Sequence, residues 1–189
     1  MVDVPARETT TDRYPASSRV LHWITVVALL FQVPMGLTIA YRYQANIFDD
    51  LTNALSGWHK LIGFTVLWIV VLRIVIAARS WPPYPPTLPA VQQAAAHGLH
   101  RLIYVLLLLI PLTGWAGVSA YPALVTLGGY NLPAMPFVPQ NENLAATIFT
   151  IHKYAAYTLL FLLVGHIGAA LMHLVVFRDG IFQRMWFRE

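Results

Sequence analysis

Four long apolar runs, separated by polar or proline-rich breaks, organise this 189-residue chain. The first, at about 20–41, has no charge between Arg19 and Arg42. The second, at about 57–78, encloses Lys60 and Arg73. The third covers about 97–120 and the fourth about 146–177. Each reaches the roughly 20 residues a helix needs to cross the hydrocarbon core of a bilayer. Inside lipid the backbone N–H and C=O groups must pair within their own segment, so each run predicts a helix. The expected fold is an all-α membrane protein, a four-transmembrane-helix bundle in one domain over 1–189. The first run follows a polar, Arg-bearing lead and has no convincing small-residue cleavage site, so it reads as a retained helix.

The breaks add detail. Residues 81–89 read WPPYPPTLP, which favours extended polyproline geometry and ends the second helix. The long connection 121–143 carries Gly128, Gly129, Pro133, Pro136 and Pro139 and is expected to cap one face of the bundle. The tail beyond 177 mixes Arg with Phe182, Trp186 and Phe187, a composition suited to the membrane interface.

Composition agrees, with 58% hydrophobic and 11% charged residues. The basic residues are unevenly placed. Arg7, Arg13, Arg19, Arg73, Arg79, Arg101, Arg178, Arg184 and Arg188 fall on one side of the expected topology. Only Arg42, Lys60 and Lys153 fall on the other. The positive-inside rule then puts both termini in the cytoplasm. The net charge of +4 reflects this topology. No basic module stands outside the membrane segments, so lipid rather than nucleic acid is the expected partner. Nothing in the pattern specifies an oligomeric state. Cysteine is absent, which excludes disulfides, thiolate metal sites and covalent c-type haem attachment.

The seven histidines carry the chemistry. An imidazole in hydrocarbon is costly without a partner. His152 and His166 are 14 residues apart on the fourth helix, close to four turns, so they share a face roughly 21 Å apart in depth. His173 lies two turns further along that face. His59 opens the second helix at the outer end and can meet His152. His22 lies near the inner end of the first helix and can meet His166. Two histidine pairs at two depths match the two axial nitrogens that a haem iron takes inside a helix bundle. On geometry alone, His97 and His100 at the start of the third helix compete with His22 for the inner position. A lone membrane histidine is more often a hydrogen-bonded core residue. A proton path or a divalent-metal transporter wants carboxylates among its histidines. None occurs between Asp50 and Glu142, or from 143 to 178.

Haem propionates need cationic partners. Lys60 and Lys153 directly follow His59 and His152 at the outer level, where they can also snorkel to headgroups. Arg19 lies one turn before His22. Arg73 shares the face of His59 at about the depth of His166. These two are the expected partners at the inner level. Gly63, Gly114, Gly117, Gly165 and Gly168 permit close approach of a flat macrocycle or of another helix. Pro34 and Pro111 are expected to kink the first and third helices.

In combination these residues resemble the bacterial cytochrome b561 family. The resemblance rests on R-V-L-H-W at 19–23, W-H-K-L-I-G at 58–63, the Pro-rich crossover, and H-R-L-I-Y through P-L-T-G-W over 100–115. On the fourth helix it rests on H-K-Y from His152 and G-H-I-G-A-A-L-M-H over 165–173. It covers nearly the whole chain after residue 12. It implies two haem b groups, with the outer iron on His59 and His152 and the inner iron on His22 and His166, which decides for His22 over His97 and His100. It implies electron exchange with ubiquinone or another membrane quinone, with His173 close to the quinone site and His173 or His100 as proton donor. Some members of the family resemble superoxide oxidases, so the expected donor is a small molecule such as superoxide, or a protein. The alternative is a haem-bearing anchor or electron-transfer subunit for a dehydrogenase or hydrogenase.

Overall fold

The computed structural model describes residues 13–80 and 88–187. Four long helices make up almost all of it: α1 (Ala16–Gln44), α2 (Asp50–Ser80), α3 (Ala90–Ala120) and α4 (Glu142–Met172). Each is long and apolar enough to cross a membrane. Among the described residues there is no strand, only an isolated bridge between Val125 and Asn131. Of the Pro-rich crossover, residues 81–87 lie outside the described residues.

α2 and α4 begin earlier than the apolar runs, where polar residues cap them, whereas α1 and α3 start directly after Pro15 and Pro89. Asn141 caps α4 by accepting the Leu144 N–H at 2.9 Å. Asp49 caps α2, accepting the Thr52 N–H at 2.9 Å and the Thr52 hydroxyl at 2.8 Å on Oδ1. Arg42, in the last turn of α1, reaches Asp49 Oδ2 at 2.5 Å and Thr52 Oγ1 at 2.6 Å. This knot ties the α1–α2 turn, and Thr52 is fully buried in it.

The Thr52 N–H, then Arg42 and the Thr52 hydroxyl, hold the Asp49 carboxyl down at about 2 from an ordinary 3.8. A depressed carboxyl stabilises the fold above its unfolded value and stops doing so as pH falls through its folded one. The contribution of this knot is therefore full above about pH 4 and lost towards pH 2. Asp49→Asn should unfold at lower temperature near neutrality and lose its share of the acid sensitivity between those values. Thermal unfolding in detergent from pH 2 to 6 checks this.

Packing is pairwise. α1 lies along α2 and α3 along α4, with a lesser α2–α3 contact joining the hairpins, while α4 makes little close backbone contact with α1 or α2. The buried core sits at mid-depth, where Val66 and Val70 of α2 meet Ile103, Leu106 and Leu107 of α3 and Ala155 and Leu159 of α4. Outward, the helices present bare apolar side chains such as Leu30, Phe31, Phe161 and Val164. Lipid rather than water suits such a surface.

The two ends are closed differently. At one end the 121–141 connection folds over the start of α2, and Lys60 Nζ donates to the carbonyls of Ala123 (3.0 Å) and Val125. Gly57 lets this connection close in, since a Cβ there would stand 3.3 Å from the Leu127 backbone nitrogen. At the other end the start of α1 meets the segment that follows α4. Arg19 Nη1 donates to the Trp186 carbonyl and Trp23 Nε1 to that of Met185, each at 2.9 Å. Arg184 is buried, with its guanidinium 5.5 Å from the Tyr14 ring.

Candidate functional site

Every helix carries two marked positions 14 residues apart: His22 and Gly36 on α1, His59 and Arg73 on α2, His100 and Gly114 on α3, His152 and His166 on α4. Fourteen residues is nearly four turns, so each couple shares a face. Antiparallel packing sorts them into two levels, one near each end of the bundle.

The outer level holds His59 and His152, whose ring centroids are 6.2 Å apart. Both rings lie against glycine. A Cβ on Gly36 would come within 3.0 Å of His59 Cε1, and one on Gly114 within 3.1 Å of His152 Cε1. His152 Nδ1–H donates to the Ile110 carbonyl at 2.8 Å, which leaves Nε2 with its lone pair. His59 Nδ1 is buried without a hydrogen-bond partner. Gln32 reaches across from α1 and donates to the His59 carbonyl at 2.8 Å, fitting against Gly63, where a Cβ would stand 2.8 Å from its amide nitrogen.

The inner level holds His22 and His166, with centroids 6.3 Å apart. Arg73 Nη2 donates to His22 Nδ1 at 3.2 Å, and its guanidinium sits 5.2 Å from the Tyr104 ring centroid. His100 also faces His166, at 5.3 Å between centroids. Arg19 has a buried Nε without a partner beside its bond to Trp186.

These spacings can be read against a shared ion. Two metal–imidazole bonds of about 2.0 Å, plus about 1.1 Å from each nitrogen to its ring centre, require about 6.2 Å between centroids. The pairs His59–His152 and His22–His166 have that spacing. His100–His166, at 5.3 Å, is too close for an ion in line between the rings. Among the described residues no three His, Cys, Asp or Glu side chains come together to hold a metal ion. Two imidazoles would suit a metal whose remaining ligands come from a macrocycle. Both pairs bridge to α4 from α1 or α2, where helix packing is sparse, and Gly165 and Gly168 beside His166 face open space. The residues present thus fit a non-covalent haem at each level.

The family model for prokaryotic cytochrome b561 matches residues 13–188. The chain belongs to the prokaryotic cytochrome b561 family. It is similar to cytochrome b561 homolog 1 of Escherichia coli (strain K12), 31% identical over 92% of this chain and 97% of the relative. It is 28% identical to cytochrome b562 of Cereibacter sphaeroides, over 87% of this chain and 89% of that protein. It is 31% identical to the probable superoxide oxidase CybB of Yersinia pestis, over 87% and 90%. Membership makes this cytochrome b561-family chain a multi-pass membrane electron-transfer protein and implies haem b as its cofactor.

The remaining expected site residues are placed as follows. His173 stands apart from both levels, at the chain-end side of the bundle, with Asp179 2.6 Å from its Nδ1. Lys60 is tied to the 121–141 connection and Lys153 is half-buried on α4. Gln32, Gly36, Tyr104 and Asp179 were not singled out by the sequence. Gly36 had a signal, the same 14-residue step from His22 that joins His152 to His166.

Proposed function

We propose that this protein carries electrons across the bacterial inner membrane through two b haems, from a donor at the outer face to a membrane quinone near the cytoplasmic face. The observation that carries it is the recurrence of one spacing, 6.2 and 6.3 Å, in two histidine pairs near opposite ends of a membrane-length bundle. His59 and His152 hold the outer haem, and His22 and His166 the inner one. The bound haems supply one-electron redox chemistry. The protein fixes imidazole orientation, as His152 shows through Ile110, and excludes water with the Val66–Leu159 core between the levels. The start of α1 and the segment after α4 meet at one end of the bundle, and the Arg asymmetry favours the cytoplasm for that end.

Superoxide is the favoured donor. Lys60 and Lys153 put positive charge at the outer level, where it steers an anion inward, and a relative of 31% identity is a probable superoxide oxidase. The acceptor, ubiquinone or another membrane quinone, receives protons from His173. His100 packs against His166 instead and belongs to the inner level.

A pyridine haemochrome assay on purified protein should give two b haems per chain, and rapid mixing with superoxide should reduce them with saturation kinetics. One haem or none would overturn the two-level reading. Two haems that superoxide leaves oxidised would redirect the search for the donor.

Arg73 gives a sharper check. A ring ligating through Nε2 holds its hydrogen on Nδ1, which frees Arg73 Nη2 for an anion at the inner level. Arg73→Leu should lower the occupancy or the potential of the inner haem and leave the outer one alone. An unchanged redox titration would remove Arg73 from the site.

A further inference from the structure

Beyond α4 the backbone departs from regular helix around one pair of side chains. The helix passes into a π turn, His173–Phe177. Arg178 then takes left-handed angles (φ 51, ψ 37) and Gly180 has φ 82. A non-glycine residue in that region is uncommon and strained, and such strain gathers at functional positions. The reversal brings Asp179 back to His173, with Oδ2 2.6 Å from Nδ1. Asp179 Oδ1 meanwhile accepts the Ile181 N–H at 3.2 Å, so both carboxylate oxygens are held.

This pair borders a cavity of about 230 Å³ between the start of α3, with Leu88, Pro89 and Gln92, and the turn bearing His173, Phe177 and Asp179. The space is below the roughly 300–1,000 Å³ typical of drug-sized ligands. It suits a single-ring head group whose tail stays outside. Val176 and Phe177 are 66% and 52% exposed beside it, an apolar rim along which such a tail can lie.

We propose that Asp179 is the positioning residue of the quinone site, a reading that rests on the quinone acceptor proposed above. Its carboxylate takes the Nδ1–H of His173, directs Nε2 towards the head group and stabilises the imidazolium. The Gln92 amide binds the second carbonyl. One quinone takes two electrons, supplied singly by the outer donor, and two protons, one at each carbonyl oxygen, to become quinol. The first proton leaves His173 Nε2, and the neutral imidazole regains one from water. The second comes from water on the Gln92 side. Asp179 stays ionised throughout.

The test is turnover of purified, haem-loaded protein with decylubiquinone. His173→Ala should lower kcat about a hundredfold, as expected for loss of a general acid. Asp179→Asn should lower kcat about tenfold with KM within about twofold, and Asp179→Glu should restore most of the rate. Haem content and spectra should not change. If His173→Ala slows turnover but Asp179→Asn does not, Asp179 only fastens the tail, and the proposal falls while the quinone reading stands. If His173→Ala keeps wild-type kinetics, the quinone reading falls for this cavity. Should Asp179→Asn fail to assemble, nitrogen-15 NMR of the reduced wild type decides. Decylubiquinol should move the His173 Nε2 resonance, and an unmoved resonance at saturation overturns the proposal.

Discussion

Purified His59→Leu protein is expected to bind one haem b per chain, with the inner haem intact. Leucine fills similar volume but offers no lone pair, so His152 alone would be left to hold an outer haem. The neighbouring elements are built for an imidazole. Gly36 leaves room on α1 for the His59 ring, whose Cε1 lies only 3.0 Å from where a Cβ would stand. Ile110 holds the opposing His152 in the tautomer whose Nε2 lone pair is free. Removing one member of such a pair forfeits the geometry the other was held for. The inner level lies roughly 21 Å away, a distance at which effects of substitution are ordinarily independent. Haemochrome stoichiometry with a redox titration checks this, and a loss of one component from the titration is the expected result. Retention of both haems would mean that His59 is no ligand.

At the inner level, His22→Ala should empty the site, whereas His100→Ala should keep both haems. The two imidazoles both face His166, and centroid spacing separates them: 6.3 Å admits an ion in line between the rings, and 5.3 Å does not. His100 is then a neighbour of a ligand, and its loss should shift the inner potential. For a one-electron couple, about 1.4 kcal/mol of altered interaction moves the potential by roughly 59 mV. A titration of each variant, with haem content, discriminates the two. An empty inner site in His100→Ala beside a filled one in His22→Ala would exchange the assignments.

Much of this was legible in the chain. The four helices follow from apolar run length, because a bilayer imposes one solution on the backbone. The 14-residue step of His152 and His166 showed two levels on one face, because helix periodicity is local. Helix starts were less legible. The first turns of α2 and α4 are polar, and Asp49 and Asn141 cap them. The competition between His22 and His100 is not decidable from periodicity, since both faces look inward, and in the sequence only the family resemblance favours His22. Gln32 and Asp179 were invisible for a different reason. A glutamine among apolar residues and an aspartate in a tail acquire meaning only from partners that tertiary folding brings to them, the His59 carbonyl and the His173 ring.

The pairwise packing of the helices has a consequence for how the protein is made. Both candidate pairs span the seam between the α1–α2 and α3–α4 hairpins, and both draw one imidazole from α4, which follows the other three long helices in the chain. A nascent chain ending after α2 holds His22 and His59 near opposite membrane faces and completes neither pair. If these pairs hold the haems, pigmentation would wait for α4, and haem insertion would become a checkpoint that a chain lacking α4 cannot pass.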